Sequence, residues 1–214
     1  MNMQTAVVRQ NSLRVIVIGL VIVASLSLLY FKANAAQLIK TPILAESYID
    51  GELKYQLITL GVAGLVLLAT YLAGPTSFRR FFGLGQIDAP VTPVKAIGIN
   101  PGPNETWLQV GRTFALIITG VTAVFIYLNA FRGNSIAREN LRFLPWILVF
   151  ALSNAFVEEM ITRFAVVSSL DGLIQPSAVY LVSAAIFGLV HYFGTPGGIP
   201  GVLMADFLGW FAAK

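Results

Sequence analysis

Long stretches without charged residues constrain this chain more than any other feature. Each stretch is close to, or above, the about 20 residues that an α-helix needs to cross a bilayer. Only helices and closed barrels satisfy their backbone in lipid, and barrel strands would alternate over about ten residues. The pattern therefore predicts an all-α, polytopic membrane bundle with about six transmembrane helices in a single domain, residues 1–214. The predicted spans cover residues 13–31, 56–73, 113–131, 143–170, 175–191 and a last one after residue 201.

Composition supports a bilayer as the solvent of this chain. Of its 214 residues, 57% are hydrophobic and 11% are charged, whereas about a quarter of a soluble domain is charged. The basic residues are scattered among the loops, which argues against nucleic acid as a partner and gives no membrane orientation. The absence of cysteine excludes disulfides and thiol catalysis. We therefore expect a multi-pass protein of the cell membrane that is surrounded by lipid.

The first apolar run leaves two interpretations open. Arg9 and Arg14 precede the run and Ala33-Asn34-Ala35 follows it, which is the arrangement of a cleaved secretory signal. However, the run is longer than the apolar region of most signals, which favours a first helix that is retained.

The longest polar stretch, residues 75–112, is predicted to be an extramembrane or interfacial loop. It opens with Arg79 and Arg80 between phenylalanines, a composition that suits a membrane interface. Prolines between residues 90 and 103 then favour an extended segment rather than a helix, with at most a short hairpin.

The fourth span carries Glu158, Glu159 and Arg163, and each charge costs about 2.5–3.5 kcal/mol at the centre of a membrane helix. Glu159 and Arg163 are four residues apart, so they lie on one face of a helix and can pair. Glu158 points about 100° away. With Asn154 one turn earlier and Thr162 one turn later, it forms a polar stripe that must face protein or water. Glu158 is therefore the predicted general base, and Glu159 is the predicted partner of Arg163.

The fifth span ends near the only histidine of the chain, His191. One turn earlier lies Phe187, among small residues that let another helix approach closely. The turn at residues 194–201 is rich in glycine and proline yet uncharged, which indicates a re-entrant or cavity-lining backbone. Because Glu158 and His191 are each costly in lipid and suited to proton transfer, we expect them to face one cavity and share a water.

Structural explanations of the same residues stay open. The Glu159–Arg163 pair can serve as a clamp between helices, and a histidine at the end of a span is often interfacial. Asp206, in the sixth span, is either a ligand or a helix-end residue.

The order of the two polar motifs carries a resemblance. Glu158-Glu159-x-x-x-Arg163, followed on the next helix by Phe187-x-x-x-His191, resembles the CAAX prenyl protease and bacteriocin-processing family of intramembrane peptidases. Either motif alone has little specificity, whereas the ordered pair on neighbouring membrane helices is more specific.

The resemblance covers about residues 140–213, and the preceding residues fit only as additional spans. It implies cleavage of a peptide bond near the C-terminus of a protein, or in a peptide precursor, within the membrane. Glu158 and His191 would activate the attacking water. The supporting residues would be Glu159, Arg163, Asn154 and Phe187. The resemblance fixes no cofactor, and a divalent metal such as zinc would have Glu158, His191 and Asp206 as its available donors.

The last predicted helix departs from the family. The family carries His-x-x-x-Asn or a similar pair there, whereas this sequence lacks that pair and stops at Lys214, within the sixth predicted span. These features predict a truncated and catalytically incomplete form. Two alternatives stay open: a non-catalytic membrane protein, such as a bacteriocin self-immunity or scaffold factor, and a small transporter in which Glu158 and Glu159 relay protons.

Overall fold

The computed structural model is built largely of helices. It describes residues 3–83, 85–94, 100–128, 132, 140–194 and 197–213. Several residues named in the predictions lie outside these ranges: 129–131, Thr195, Pro196 and Lys214. Within the described ranges there is no β-strand, and an isolated bridge joins Pro90 and Thr106. The all-α prediction is confirmed.

The helices follow one another in a simple order, with a π-helical segment in the middle of the fourth predicted span. They are α1 (Met3–Leu38), α2 (Ser47–Ala73), α3 (Pro75–Phe81), α4 (Trp107–Ile126), α5 (Leu144–Glu158), the π segment (Glu159–Phe164), α6 (Ala165–Leu170), α7 (Pro176–Val190) and α8 (Gly198–Ala213). Short 3₁₀ turns occupy Asn140–Phe143 and His191–Phe193. Because α5, the π segment and α6 are continuous, we call them together the motif helix.

Five helices of the described chain are long and apolar enough to cross a membrane. They are Val7–Leu38, Ser47–Ala73, Trp107–Val124, Leu141–Leu170 and Pro176–Phe193. The sixth apolar helix, Gly198–Ala213, has 16 residues and is shorter than a full span. The chain is thus a polytopic helical membrane bundle, as predicted.

The predicted loop over residues 75–112 contains helical residues at both ends. Residues Pro75–Phe81 are helical because proline fits the first position of a helix, where its missing N–H costs nothing. Helix α4 begins at Trp107, because Thr106 and Gln109 form a capping box at its N-terminus. Between these helices the described residues form turns, unassigned segments and the isolated bridge. There the N–H of Val91 donates to the carbonyl of Glu105 at 2.8 Å.

Two other boundaries also differ from the prediction. Helix α2 starts at Ser47 rather than near residue 56. Asp50 and Lys54 form an ion pair at 2.5 Å within its first turns, so the two charges neutralise each other inside the helix. Asp50 also accepts the N–H groups of Ile43 and Leu44 at 2.6 and 2.9 Å. At the other end of the chain, α8 begins at Gly198, so the second half of the predicted non-helical turn is helical.

The chain divides into two compact units. One consists of Met1–Gly83 together with Trp146–Lys214, and the other consists of Leu84–Pro145. Both predicted motifs belong to the first unit. The single-domain organisation stays a prediction.

The core of the first unit lies where α1, α2, the motif helix and α7 meet. Val21 of α1, Val66 of α2 and the motif-helix residues Val157 and Ile161 are each at most 1% exposed. Ala63 is also fully buried, and small side chains of this kind allow helix axes to approach closely in a membrane. The core therefore packs against one face of the motif helix, and the charged motif residues lie on its other faces.

Candidate active site

The π-helical segment coincides with the first polar motif. The N–H of Ala165 donates to the carbonyl of Met160, five residues earlier, which makes this turn wider than an α-helical one. The hydroxyl of Thr162 donates to the carbonyl of Glu158 at 2.8 Å. Such π turns are frequent at functional sites. Here the wide turn starts directly after Glu158 and contains both Glu159 and Arg163.

Glu158 is held by the residue one turn before it. The side-chain amide of Asn154 donates to its carboxylate at 2.7 Å, and both residues are half-buried. The hydroxyl of the neighbouring Ser153 donates to the side chain of Gln56 in α2 at 2.7 Å. The polar stripe predicted from the sequence is thus hydrogen-bonded along the helix. The neighbouring face of the helix is hydrogen-bonded to α2 through Ser153.

Arg163 joins the two motifs. Its guanidinium pairs with the carboxylate of Glu159, as the spacing predicts. The same guanidinium lies over the ring of Phe187 in α7, with 5.5 Å between the guanidinium carbon and the ring centroid. A cation over an aromatic face is attracted electrostatically. Glu159 and Phe187 thus hold Arg163 from two different helices.

The ring of His191 has a fixed tautomer. Its Nδ1 lies 2.7 Å from the carbonyl oxygen of Phe187. Because α7 ends at Val190, the backbone N–H of His191 donates to the carbonyls of Gly188 and Leu189. The carbonyl of Phe187 is therefore left to accept a hydrogen bond from the ring. A carbonyl only accepts hydrogen bonds, so Nδ1 carries a proton. In the neutral imidazole, Nε2 is then the nitrogen that can accept a proton or a hydrogen bond from water.

The packing of α7 on the motif helix sets the register of the two motifs. The hydroxyl of Ser183 donates to the carbonyl of Thr162 at 3.0 Å, and Phe187 lies against Arg163 one turn later. The two helices are antiparallel because a short turn, residues 171–175, connects them. From the Ser183 contact, Glu158 lies one turn back along the motif helix and His191 lies two turns further along α7, so both lie toward the same end of the helix pair. That their side chains share one cavity stays a prediction.

A cavity of about 440 Å³ lies on another face of the motif helix. Glu159 and Arg163 line it, whereas Glu158 and His191 do not. The two halves of the first motif therefore face different surroundings.

Asp206 reaches the helix that carries the histidine motif. A Cβ added to Gly188 would collide with its carboxylate, so Asp206 fills the space that a glycine leaves on α7. One carboxylate oxygen of Asp206 is buried and has no hydrogen-bond partner among the described residues. No group of three or more His, Asp or Glu side chains in the described part of the chain is arranged to hold a metal ion. Glu158, His191 and Asp206 therefore do not form a ready ligand set, and zinc binding stays a prediction.

The site contains two contacts that the motifs do not predict. Ser183 is one of the small residues before Phe187, and Gln56 begins the second predicted span. Both are polar residues within apolar helices, and both are at most 5% exposed. Their polarity is the signal that could have indicated contacts between helices.

The fold and the buried polar residues define a polytopic helical membrane protein with ionisable groups inside its bundle. Residues 140–214 match the family model described as type II CAAX prenyl endopeptidase Rce1-like. The match covers the residues that carry both motifs, so the resemblance predicted from them is confirmed. At the level of the family, the match supports a CAAX-type membrane peptidase. Comparisons with curated proteins and with solved structures give no match.

Proposed function

We propose that this protein is an intramembrane endopeptidase of the cell membrane. It would hydrolyse a peptide bond near the C-terminus of a membrane-associated protein, or in a peptide precursor. One observation carries the proposal. Arg163 contacts both Glu159 and Phe187, and these contacts join the two helices that carry Glu158 and His191.

The proposed reaction begins with a water between Glu158 and His191. The Glu158 carboxylate takes one proton of the water while the water oxygen attacks the carbonyl carbon of the scissile peptide bond. Asn154 holds the carboxylate in place through its 2.7 Å hydrogen bond. Nε2 of His191 accepts the second hydrogen of the water as a hydrogen bond and so orients the oxygen.

The intermediate then collapses with the same groups. The electron pair on the former carbonyl oxygen reforms the double bond, and the bond between carbon and nitrogen breaks. The protonated Glu158 gives its proton to the departing amine. The products are a carboxylic acid and an amine, and Glu158 returns to its starting state. The low dielectric of the bundle strengthens each of these interactions relative to water.

The test is peptide hydrolysis by the purified protein in proteoliposomes. The substrates are a prenylated peptide that ends in a CAAX sequence and an unmodified precursor peptide. Glu158→Gln keeps the shape of the side chain but removes the base, so we expect about 10²–10⁴-fold slower cleavage at normal folded yield. Glu105→Gln, which changes a carboxylate in the other unit, is the control and should keep the wild-type rate. A wild-type rate in the Glu158 variant would overturn the proposal, and no cleavage by the 214-residue wild-type protein would favour the catalytically incomplete form that the sequence predicts.

A further inference from the structure

The cavity of about 440 Å³ has apolar walls and charged ends. This volume lies within the about 300–1,000 Å³ of small-molecule sites. The walls come from α3, the motif helix, the turn after α6, and α7, and the end of α8 adds small residues. The apolar wall residues include Phe81, Met160, Phe164, Val167, Ile174 and Val179, and the small ones are Ala212 and Ala213. Such a lining suits a hydrocarbon chain.

The two charged ends of the cavity differ. At one end Glu159 and Arg163 form a tight pair within one helix, and the Arg163 side chain is 16% exposed. At the other end Arg80 contacts Asp171 at 3.3 Å, and the Arg80 side chain is 67% exposed. The Arg163 guanidinium is thus largely buried beside its partner, whereas the exposed Arg80 can bind an additional anion without leaving Asp171. A negatively charged group would therefore bind at the Arg80 end.

Further basic groups surround the Arg80 end. Arg79 is the next residue of α3 and donates to the hydroxyl of Tyr71 at 3.3 Å. Arg14 of α1 donates to the carbonyl oxygens of Ser168 and Asp171. At this end of the bundle, the three guanidinium groups of Arg14, Arg79 and Arg80 carry more charge than the carboxylate of Asp171. The local charge is therefore positive, which favours an anionic ligand over a zwitterionic one.

Helix α3 has the composition of a segment at the membrane interface. Phe78 and Phe82 pack on the buried Phe164 with ring centroids 4.9 and 5.5 Å apart. The arginines lie on the same short helix, and arginines beside aromatic residues suit the interface. We therefore expect this end of the cavity to lie at the level of lipid headgroups, with the rest of it between apolar side chains.

We propose that this cavity binds one acidic phospholipid. The headgroup phosphate lies at Arg80, and one acyl chain enters between Phe81, Val167 and Val179. Basic pockets between transmembrane helices are known to bind anionic headgroups in this manner. The site is separate from Glu158 and His191, so the proposal does not depend on the proposed peptidase function.

The experiment measures lipid binding by thermal unfolding of the purified protein in detergent. Phosphatidylglycerol and phosphatidylcholine with identical acyl chains are titrated, and glycerol phosphate tests the headgroup alone. We expect phosphatidylglycerol to raise the midpoint by a few degrees more than phosphatidylcholine does, and glycerol phosphate to have no effect. Arg80→Gln should weaken the phosphatidylglycerol response about fivefold in affinity, since a basic residue near acidic lipid contributes about that factor.

Two matched pairs of variants decide whether the effect belongs to this cavity. Arg79→Gln removes an adjacent charge outside the lining and should weaken the response less than Arg80→Gln does. Ala212→Phe fills the cavity and should abolish the response, whereas Leu208→Phe, an exposed position on the same helix outside the lining, should not. Equal shifts with the two lipids, equal losses in the two arginine variants, an unchanged response in Ala212→Phe, or a full response to glycerol phosphate would each overturn the proposal.

Discussion

Arg163 is the residue that connects the two motifs, because it pairs with Glu159 and lies over Phe187. The spacing of four residues was enough to predict the first contact. The second contact depends on how α7 packs on the motif helix, and no spacing within one helix reveals that. The sequence therefore predicts the charges that must be neutralised but not the aromatic ring that completes their surroundings.

Removal of Arg163 should destabilise the protein by leaving Glu159 without a partner. We expect Arg163→Ala to lower the free energy of unfolding by about 2 kcal/mol, the typical contribution of a hydrogen bond to a charged group. The double variant Glu159→Gln/Arg163→Ala should recover part of this loss, because no charge is then unpaired. Thermal unfolding and folded yield in detergent measure both effects. A double variant less stable than Arg163→Ala would contradict this account.

The tautomer of His191 gives a second prediction at the residue scale. His191→Asn can keep a donor to the carbonyl of Phe187 but lacks an atom in place of Nε2. We therefore expect a folded protein with near-normal thermal stability and peptide hydrolysis slower by about 10²-fold or more. His191→Ala removes both functions and should lose stability in addition. If His191→Asn cleaves at the wild-type rate, Nε2 has no part in the reaction.

At the scale of elements, the π segment is the feature that a hydrophobic pattern cannot predict. The sequence indicates one apolar helix over residues 143–170, and the structure widens it by one turn at Glu159–Phe164. A periodicity near 3.6 residues does not distinguish a local π turn from a regular helix. The boundaries of α2, α3 and α4 differ from the apolar runs for another reason, because caps and an ion pair within the helix set them.

The π turn should couple the stability of the helix to the activity of Glu158. The Thr162 hydroxyl bonds to the carbonyl of Glu158 at 2.8 Å, and the Thr70 hydroxyl makes the same contact to Val66 in α2 at 2.7 Å. Thr162→Val and Thr70→Val should each lose about 1 kcal/mol of stability. Only Thr162→Val should also slow peptide hydrolysis, because it releases the turn that positions Glu158. Equal activity in the two variants would show that the turn does not position Glu158.

At the scale of the whole molecule, the sequence predicts the membrane class and the family resemblance of residues 140–214. The helical bundle and the family match over residues 140–214 agree with what the uncharged runs and the ordered motifs predicted. The cluster around Arg14, Arg80 and Asp171 was not predicted. These residues are far apart in the sequence, and only the packing of α1, α3 and the motif helix brings them together.

The bundle predicts on which sides of the membrane two connections lie. Arg14 of α1 contacts the connection after α6, whereas the other end of α1 leads to the loop before α2. Thr41→Cys and Gln175→Cys, both at exposed positions of a cysteine-free chain, should therefore react with a membrane-impermeant maleimide from opposite sides. Labelling of sealed and permeabilised vesicles distinguishes the two sides. Labelling of both positions from the same side would contradict the arrangement of α1 as a span.

The central claim is that Glu158 and His191 face each other, and a short thiol cross-linker tests it directly. The double variant Glu158→Cys/His191→Cys should take up one bridging reagent, and the intact mass of the protein should show it. In the control pair Phe156→Cys/His191→Cys, Phe156 lies about 200° around the helix from Glu158 and is 44% exposed. The control should take up two singly attached reagents. The account predicts a bridge in the first variant only, and a bridge in the control but not in the first would contradict it.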